Sequence, residues 1–190
     1  ITAIPPSTTN LGGQFAVGYA TTATGYVAFT SGYSTTASGN YSTAMGESSN
    51  ASGANSTALG KSTSASGNYS TSLGKSTIAS GSQSTALGES STASGYASLA
   101  TGRSNTASGY NATAMGRAST ASGYYSTVMG YNATASDFAS FVIGQYNSSG
   151  SSATSAGSYD VSSPAFVIGN GTSGTASDAF KVLFNGNTTV

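Results

Sequence analysis

A glycine recurs every seven residues along most of the chain. The segments that precede alternate glycines differ, because one half of the unit reads Ser56-Thr57-Ala58-Leu59-Gly60 and the other reads Ser64-Ala65-Ser66-Gly67. The repeat is therefore 14 residues long and contains two short segments and two turns. The glycines stand at positions 18, 25, 32, 39, 46, 53, 60, 67, 74, 81, 88, 95, 102, 109, 116, 123, 130 and 144, and Asp137 fills the one missing place.

A unit of this length predicts one coil of a β-solenoid. It is too short for the helical repeats of about 33 to 47 residues and for a leucine-rich repeat. Alternate side chains of a strand share a face, so Ser56, Ala58 and Gly60 lie on one side and Thr57 with Leu59 on the other. A face of small residues predicts a narrow interior between two strands packed back to back. We expect the glycines to supply positive φ angles and close backbone approach.

Residues 14 positions apart form columns along such a roll, and one column is almost continuously apolar. An apolar ridge outside a narrow roll has to be covered by other copies of the chain, so the pattern predicts an oligomer. Beside this ridge runs a column of threonines that has phenylalanine at both ends, Phe15 and Phe29 at one and Phe141 at the other. The candidate subunit-core column is Val17, Met45, Leu59, Leu73, Leu87, Met115, Met129 and Ile143.

A second column carries most of the charge. Parallel strands lie about 4.8 Å apart, so we expect Glu47 to attract Lys61, and Glu89 to attract its neighbours. Exposed pairs of this kind contribute only about 0–1 kcal/mol each. We interpret the column as a solvated rim that fixes register, in preference to a binding site. Its charged members are Glu47, Lys61, Lys75, Glu89, Arg103 and Arg117.

A third column is aromatic, and it comprises Tyr96, Tyr110, Tyr124 and Phe138 at the turns that follow the second-half glycines. Stacked rings at an exposed turn offer rigid contact area to a sugar or a protein partner. The alternative is that they only stabilise the turns. Asp137 precedes Phe138, and we interpret it as a tolerated turn residue, since Asp adopts the left-handed conformation more readily than most residues.

The composition excludes most chemistry. The chain has no His and no Cys, so it lacks the usual nucleophile arrangements and transition-metal ligands. Its acidic residues are scattered, which predicts neither a glycosidase carboxylate pair nor a calcium site. We therefore predict that the protein is not an enzyme and uses no cofactor and no metal.

Charge and hydropathy also limit the partners. Charged residues make up 5% of the chain and the net charge is zero, whereas nucleic-acid binding needs a basic surface. No apolar run approaches the roughly 18 residues of a membrane span. Nucleic acid and membrane insertion by this segment are therefore not expected.

The repeat pattern suggests four regions. We predict an N-terminal lead-in or cap at 1–13, β-roll repeats at 14–146, a Ser/Gly-rich loop or linker at 147–163, and an irregular last coil with a hairpin at 164–190. Residues 165–169 echo residues 140–144 at an offset of 25. The pair Asn185-Gly186 is a hairpin signal, which predicts a short β-hairpin cap that leads to a further module.

The recurring Ser-x-Ala-apolar-Gly block resembles a known repeat. Blocks such as Ser42 to Gly46, Ser84 to Gly88 and Ala112 to Gly116 are similar to the YadA-type head repeats of trimeric autotransporter adhesins, over about residues 14 to 145. The resemblance implies an all-β fold, a left-handed parallel β-roll that is homotrimeric, and attachment to surfaces. The segment from Ser177 to Asn187 is similar to sequences that precede chaperone domains in phage-like tail fibres.

These patterns predict an extracellular structural adhesion protein. Its expected partners are further copies of itself and a host matrix protein, a glycan or a cell surface, and its expected location is the cell surface, the extracellular space or a virion tail fibre. The alternatives are a phage-like tail fibre or an extracellular filament subunit, and then an ice-binding solenoid with a threonine ladder. We expect those threonines to be buried between chains, which argues against ice. They are Thr43, Thr57, Thr71, Thr85, Thr113 and Thr127.

Overall fold

A computed structural model describes residues 13–148 and 156–190, which form an all-β solenoid. The long strands of the coils are β1 (Phe15–Tyr19), β3 (Phe29–Tyr33), β5 (Thr43–Glu47), β7 (Thr57–Lys61), β9 (Thr71–Lys75), β11 (Thr85–Glu89), β13 (Leu99–Arg103), β15 (Thr113–Arg117), β17 (Thr127–Tyr131) and β19 (Phe141–Gln145). The short strands are β2 (Thr22–Ala23), β4 (Thr36–Ala37), β6 (Asn50–Ala51), β8 (Ser64–Ala65), β10 (Ile78–Ala79), β12 (Thr92–Ala93), β14 (Thr106–Ala107), β16 (Thr120–Ala121) and β18 (Thr134–Ala135). The C-terminal strands are β20 (Pro164–Asn170), β21 (Asp178–Leu183) and β22 (Thr188–Thr189).

Within the coils, from β1 to β19, each strand pairs in parallel with the equivalent strand 14 residues away. Leu59, for example, is the partner of Met45 on one side and of Leu73 on the other. The long strands, together with β20, β21 and β22, form a large sheet, and the short strands form a small sheet. The predicted parallel solenoid with 14-residue coils is therefore confirmed. Its left hand and its trimeric state remain predictions.

The interior between the two sheets is as narrow as the small residues indicated. Ala58 of the large sheet and Ala65 of the small sheet are completely buried, and Ser56 and Thr63 are buried beside them. The same inward positions hold Ala or Ser in most other coils. Because no large side chain separates them, the two sheets lie close together, and the larger side chains of each coil point outward.

The glycines of the two half-units have different roles. Gly60 has a φ of 128°, whereas Gly67 does not have a positive φ. At both residues the backbone of the next coil lies very close, because a Cβ atom on either one would lie 2.0 Å from the glycine carbonyl oxygen of that coil. The prediction of positive φ is therefore wrong for the second-half glycines. Positive φ recurs instead two residues after each glycine, at non-glycine residues such as Ser62 and Tyr69.

The interpretation of Asp137 as a left-handed turn residue is also wrong. The positive φ of this turn belongs to Ala139, at 53°. The glycine one coil earlier, Gly123, must leave room for the Asp137 carbonyl oxygen, which a Cβ atom would meet at 2.1 Å. Asp137 follows β18, which is the last strand of the small sheet within the described residues. A Cβ atom is tolerated here because no further coil of that sheet stacks on it.

The C-terminal strands close the large sheet. β20 pairs in parallel with β19, and Phe166 and Gly169 stand opposite Phe141 and Gly144, so the echo at an offset of 25 gives the correct register. β21 then runs antiparallel to β20, and β22 antiparallel to β21. The predicted hairpin at Asn185-Gly186 is therefore confirmed.

Parts of two predicted regions, residues 1–12 and 149–155, lie outside the described residues, and the four domain boundaries remain predictions. None of the described residues belongs to a helix that is long and apolar enough to span a membrane.

Candidate binding surfaces of the roll

The outward side chains of the large sheet form the apolar column that the sequence indicated. Leu73 is 44% exposed, and Val17, Met45 and Met129 are also exposed, whereas the other four residues of the column are half-buried. The column therefore lies outside the roll, on a face that the single chain leaves uncovered. Aromatic pairs flank its two ends, Phe15 stacked on Phe29 and Phe141 stacked on Phe166.

One turn edge of the roll, here called the charged edge, carries the charged column. The Lys61 ammonium lies 3.0 Å from a carboxylate oxygen of Glu47, and Glu89 lies 3.2 Å from Lys75 and 3.6 Å from Arg103. These are the three contacts that the register predicts. The hydrogen bond from Lys75, the charge of Lys75 and the charge of Arg103 together lower the pKa of Glu89 below its ordinary value.

The charged edge ends in a cation–π contact and two tyrosines. The Arg117 guanidinium lies 5.3 Å from the centre of the Tyr131 ring, and the Tyr131 ring packs edge-on against Tyr146. A hydrogen bond with Tyr146 and the charge of Arg117 lower the pKa of Tyr131. The same hydrogen bond raises the pKa of Tyr146.

The opposite turn edge, here called the aromatic edge, consists of the two residues after each second-half glycine, from Tyr26 and Val27 to Phe138 and Ala139. Tyr96 and Tyr110 stack with ring centres 4.9 Å apart, and Tyr110 and Tyr124 lie 5.9 Å apart in a tilted arrangement. Tyr96 is 40% exposed, Tyr110 38% and Tyr124 44%. The tyrosines of the predicted ladder are therefore close together and accessible to solvent.

Phe138 contacts a residue that the sequence reasoning missed. Its ring packs against Tyr125 at 5.4 Å, and Tyr125 in turn packs against Tyr110 at 5.7 Å. Tyr125 belongs to the neighbouring column, whose backbone has positive φ. The adjacent pair Tyr124-Tyr125 was the available signal, since two consecutive residues of one turn place their side chains on the same edge.

Amide side chains occupy much of the rest of the aromatic edge. The side-chain oxygen of Asn68 accepts a hydrogen bond from the Ala54 backbone N–H at 3.0 Å. The Gln83 side-chain amide donates to the Tyr96 hydroxyl at 2.8 Å. At the C-terminal end of the edge, the Tyr124 backbone N–H donates to the Ala156 carbonyl at 2.7 Å.

The described residues contain no group of three or more His, Cys, Asp or Glu side chains that could hold a metal ion. Asp178 accepts from the Ser148 backbone N–H at 2.8 Å and pairs with Lys181 at 3.0 Å. This cluster fastens the segment after β19 to β21. It is a structural contact.

The repeats that form these coils match one family. The model of the YadA head domain repeat matches residues 31–49, 37–63, 51–77, 79–105, 107–133 and 121–146, which together make up more than half of the chain. The chain belongs to the YadA head repeat family. The resemblance inferred from the repeated blocks is therefore confirmed. YadA head repeats are adhesin-type structural modules and not an enzyme family. A comparison with curated proteins found no match.

Proposed function

We propose that this chain is the rigid repeat segment of an extracellular adhesion protein, and that three copies assemble through the outer face of the large sheet. The observation that carries the proposal is the exposed apolar column that runs along this face. A ridge of this length on a single chain is typical of a surface that a partner covers.

The two outer faces of the roll differ in a way that supports this assignment. On the large sheet the column holds Leu, Met, Val and Ile in eight coils, and the position two residues earlier is Thr or Phe in all coils but the one with Leu99. On the small sheet the equivalent outward positions hold Thr, Asn or Ser, and Ile78 is the single apolar exception among the described coils. Burial of the large-sheet face therefore removes much more apolar surface from water.

Assembly into three copies would make each exposed edge available three times around one axis. Repeated weak contacts then act together, because each further contact is intramolecular once the first has formed. A rod of this kind suits attachment to a host matrix protein, a glycan or a cell surface, and it requires no catalytic group. The adhesin-type family supports a location at the cell surface or outside the cell.

A tail fibre or filament subunit is the second candidate. The segment from Ser177 to Asn187, which forms β21 and its hairpin, is similar to sequences that precede chaperone domains in phage-like fibres. The ice-binding alternative loses support, because threonines such as Thr57 and Thr71 are only half-exposed and stand next to the apolar column. The trimeric rod is common to the adhesin and the fibre.

The test uses a matched pair of substitutions on opposite faces. Leu73 on the large sheet is 44% exposed and Ile78 on the small sheet is 42% exposed, so Leu73→Asp and Ile78→Asp introduce the same charge at equally accessible sites. We expect light scattering to show a trimer for the unchanged chain and for Ile78→Asp, and a smaller species for Leu73→Asp.

Circular dichroism of each variant checks that its strands are intact. A monomeric unchanged chain would contradict the proposal. So would dissociation caused by Ile78→Asp and not by Leu73→Asp.

A further inference from the structure

We propose that the aromatic edge is a binding surface for an uncharged polysaccharide chain, which lies along the edge across successive coils. The inference rests on the proposed adhesive function and adds the chemical class of the ligand. Three observations carry it: the exposure of the aromatic side chains, the separation of charge between the two edges, and the small polar residue that adjoins Tyr96 in its column.

The first observation is a cluster of rings that the chain leaves in solvent. Tyr96, Tyr110, Tyr124, Tyr125 and Phe138 form one continuous cluster, with ring centres 4.9 to 5.9 Å apart. The four tyrosines are between 38% and 49% exposed. Tyr side chains give large, rigid contact area at a low entropic cost, and antibody binding loops are enriched in Tyr together with Ser and Asn for this reason.

The second observation is the separation of charge. The aromatic edge contains only Tyr, Phe, Asn, Gln, Ser, Ala and Val side chains, from Tyr26 to Ala139. Six of the seven charged residues of the repeats, from Glu47 to Arg117, lie on the opposite edge, and the seventh, Asp137, has a buried side chain. An acidic polysaccharide or a charged protein surface would find no opposite charge here. A chain of neutral sugars requires none.

The third observation is the environment of Tyr96. One face of its ring is covered by Tyr110. On the other side the next residue of the column is Ser82, whose side chain is too small to cover a ring. Asn68 follows one coil further down. The uncovered side of the ring therefore adjoins polar side chains, among them Gln83, whose amide donates to the Tyr96 hydroxyl.

Tyr96 and these polar side chains offer the two kinds of contact that a sugar ring uses. The C–H bonds of a pyranose carry slight positive charge and pack on the negative face of an aromatic ring. Its hydroxyl groups need donors and acceptors, which the Asn68 NH2 group, the Gln83 side-chain oxygen and the Ser82 hydroxyl oxygen can supply. The Asn68 side-chain oxygen, the Gln83 NH2 group and the Ser82 hydroxyl hydrogen already bond within the edge. The edge repeats these polar positions at the strand spacing of about 4.8 Å, so a linear polymer can make similar contacts in consecutive coils.

The experiment compares Tyr96→Ala with Tyr33→Ala. Tyr33 is also an exposed tyrosine stacked on a ladder partner, Tyr19, at 5.2 Å, but it lies on the charged edge. The full chain is run through gels that contain a neutral glucan, mannan, galactan or xylan, and through a gel that contains heparin. An array of neutral oligosaccharides is probed in parallel.

We expect retardation in at least one neutral polysaccharide and none in heparin. Tyr96→Ala should weaken that binding about two- to tenfold, the loss expected for one aromatic contact, while Tyr33→Ala binds like the unchanged chain.

Three results would overturn the inference: no binding to any neutral glycan, equal losses in both variants, or binding to heparin alone. Light scattering of the same samples separates this failure from a failure of the proposed function. A trimer that adheres to an immobilised matrix protein and ignores neutral glycans would contradict the glycan ligand and leave the adhesive role intact.

Discussion

At the scale of single residues, the tightest constraint is the approach between glycines of successive coils. A Cβ atom on Gly67 would lie 2.0 Å from the carbonyl oxygen of Gly81, and the contact can be relieved only by moving the backbones of the two coils apart. We expect Gly67→Ala to lower the free energy of unfolding by more than about 4 kcal/mol, the range of exceptional substitutions. Denaturant unfolding measures this change.

The control for Gly67→Ala is Ser66→Ala, one residue earlier at an exposed position of the same turn. It should change the stability by no more than about 0.5 kcal/mol. An equally small effect of Gly67→Ala would show that the coils can separate, and it would contradict the close approach.

The interior could be predicted from the sequence residue by residue, but the turns could not. Ala58 and Ala65 recur with period 14 and alternate with larger residues, so their burial follows from strand geometry. The positive φ angles fall on Ser62 and Tyr69, residue types that usually avoid this region. The expected close backbone approach is found at the glycines of both half-units, but only first-half glycines such as Gly60 also have the expected positive φ.

At the scale of strands and columns, the ion pairs of the charged edge depend on the register alone. Glu89 lies between Lys75 and Arg103, and these cations lower its pKa from the ordinary value of 4.5. A carboxylate with a lowered pKa in the folded state stabilises the protein above its unfolded pKa, and this contribution disappears as the pH falls through the folded pKa. The contacts of Glu89 with Lys75 and Arg103 should therefore stabilise the roll at neutral pH and not in acid.

We expect Glu89→Gln to lower the melting temperature slightly at about pH 7 and to have no effect at about pH 2. Added salt should reduce the difference at neutral pH, because the groups are exposed to solvent. Glu47→Gln is the control, since Glu47 contacts one cation, Lys61, and we expect it to have a smaller effect. A difference that persists unchanged in acid would exclude the ion pairs as its cause.

Columns were easier to predict than contacts between columns. The period of 14 determines which backbone positions stack, so the Glu47–Lys61 and Tyr96–Tyr110 neighbours follow from counting. The period does not determine which neighbouring column an aromatic side chain packs against. Phe138 packs on Tyr125 because side chains of adjacent turn positions cross between columns, and that choice depends on rotamers and on the left-handed backbone at Tyr125.

At the scale of the whole molecule, the roll is a one-dimensional stack in which each coil contacts its two neighbours, and stability adds up coil by coil. Deletion of residues 57–70 removes one complete coil and joins Ser56 to Thr71. Met45 then pairs with Leu73, and Glu47 pairs with Lys75. Every column therefore keeps the same kinds of residue. We expect a folded rod that assembles as before and is shorter by about 4.8 Å.

Deletion of residues 57–63 removes half a coil and provides the contrasting case. The glycine spacing of seven is kept, but Ser56 is joined to Ser64, and the long segment from Thr71 to Lys75 falls in the place of a short strand. Leu73 and every later member of the apolar column then move to the small-sheet face. The ridge is divided between opposite sides of the roll, so no single face can bury it in an assembly.

Light scattering and small-angle X-ray scattering distinguish the two deletions. The 14-residue deletion should keep the subunit number of the unchanged chain, and the seven-residue deletion should lose assembly, folding or both. If the shorter deletion assembled normally, the two halves of the repeat would be interchangeable, and the apolar column could not be what holds the copies together.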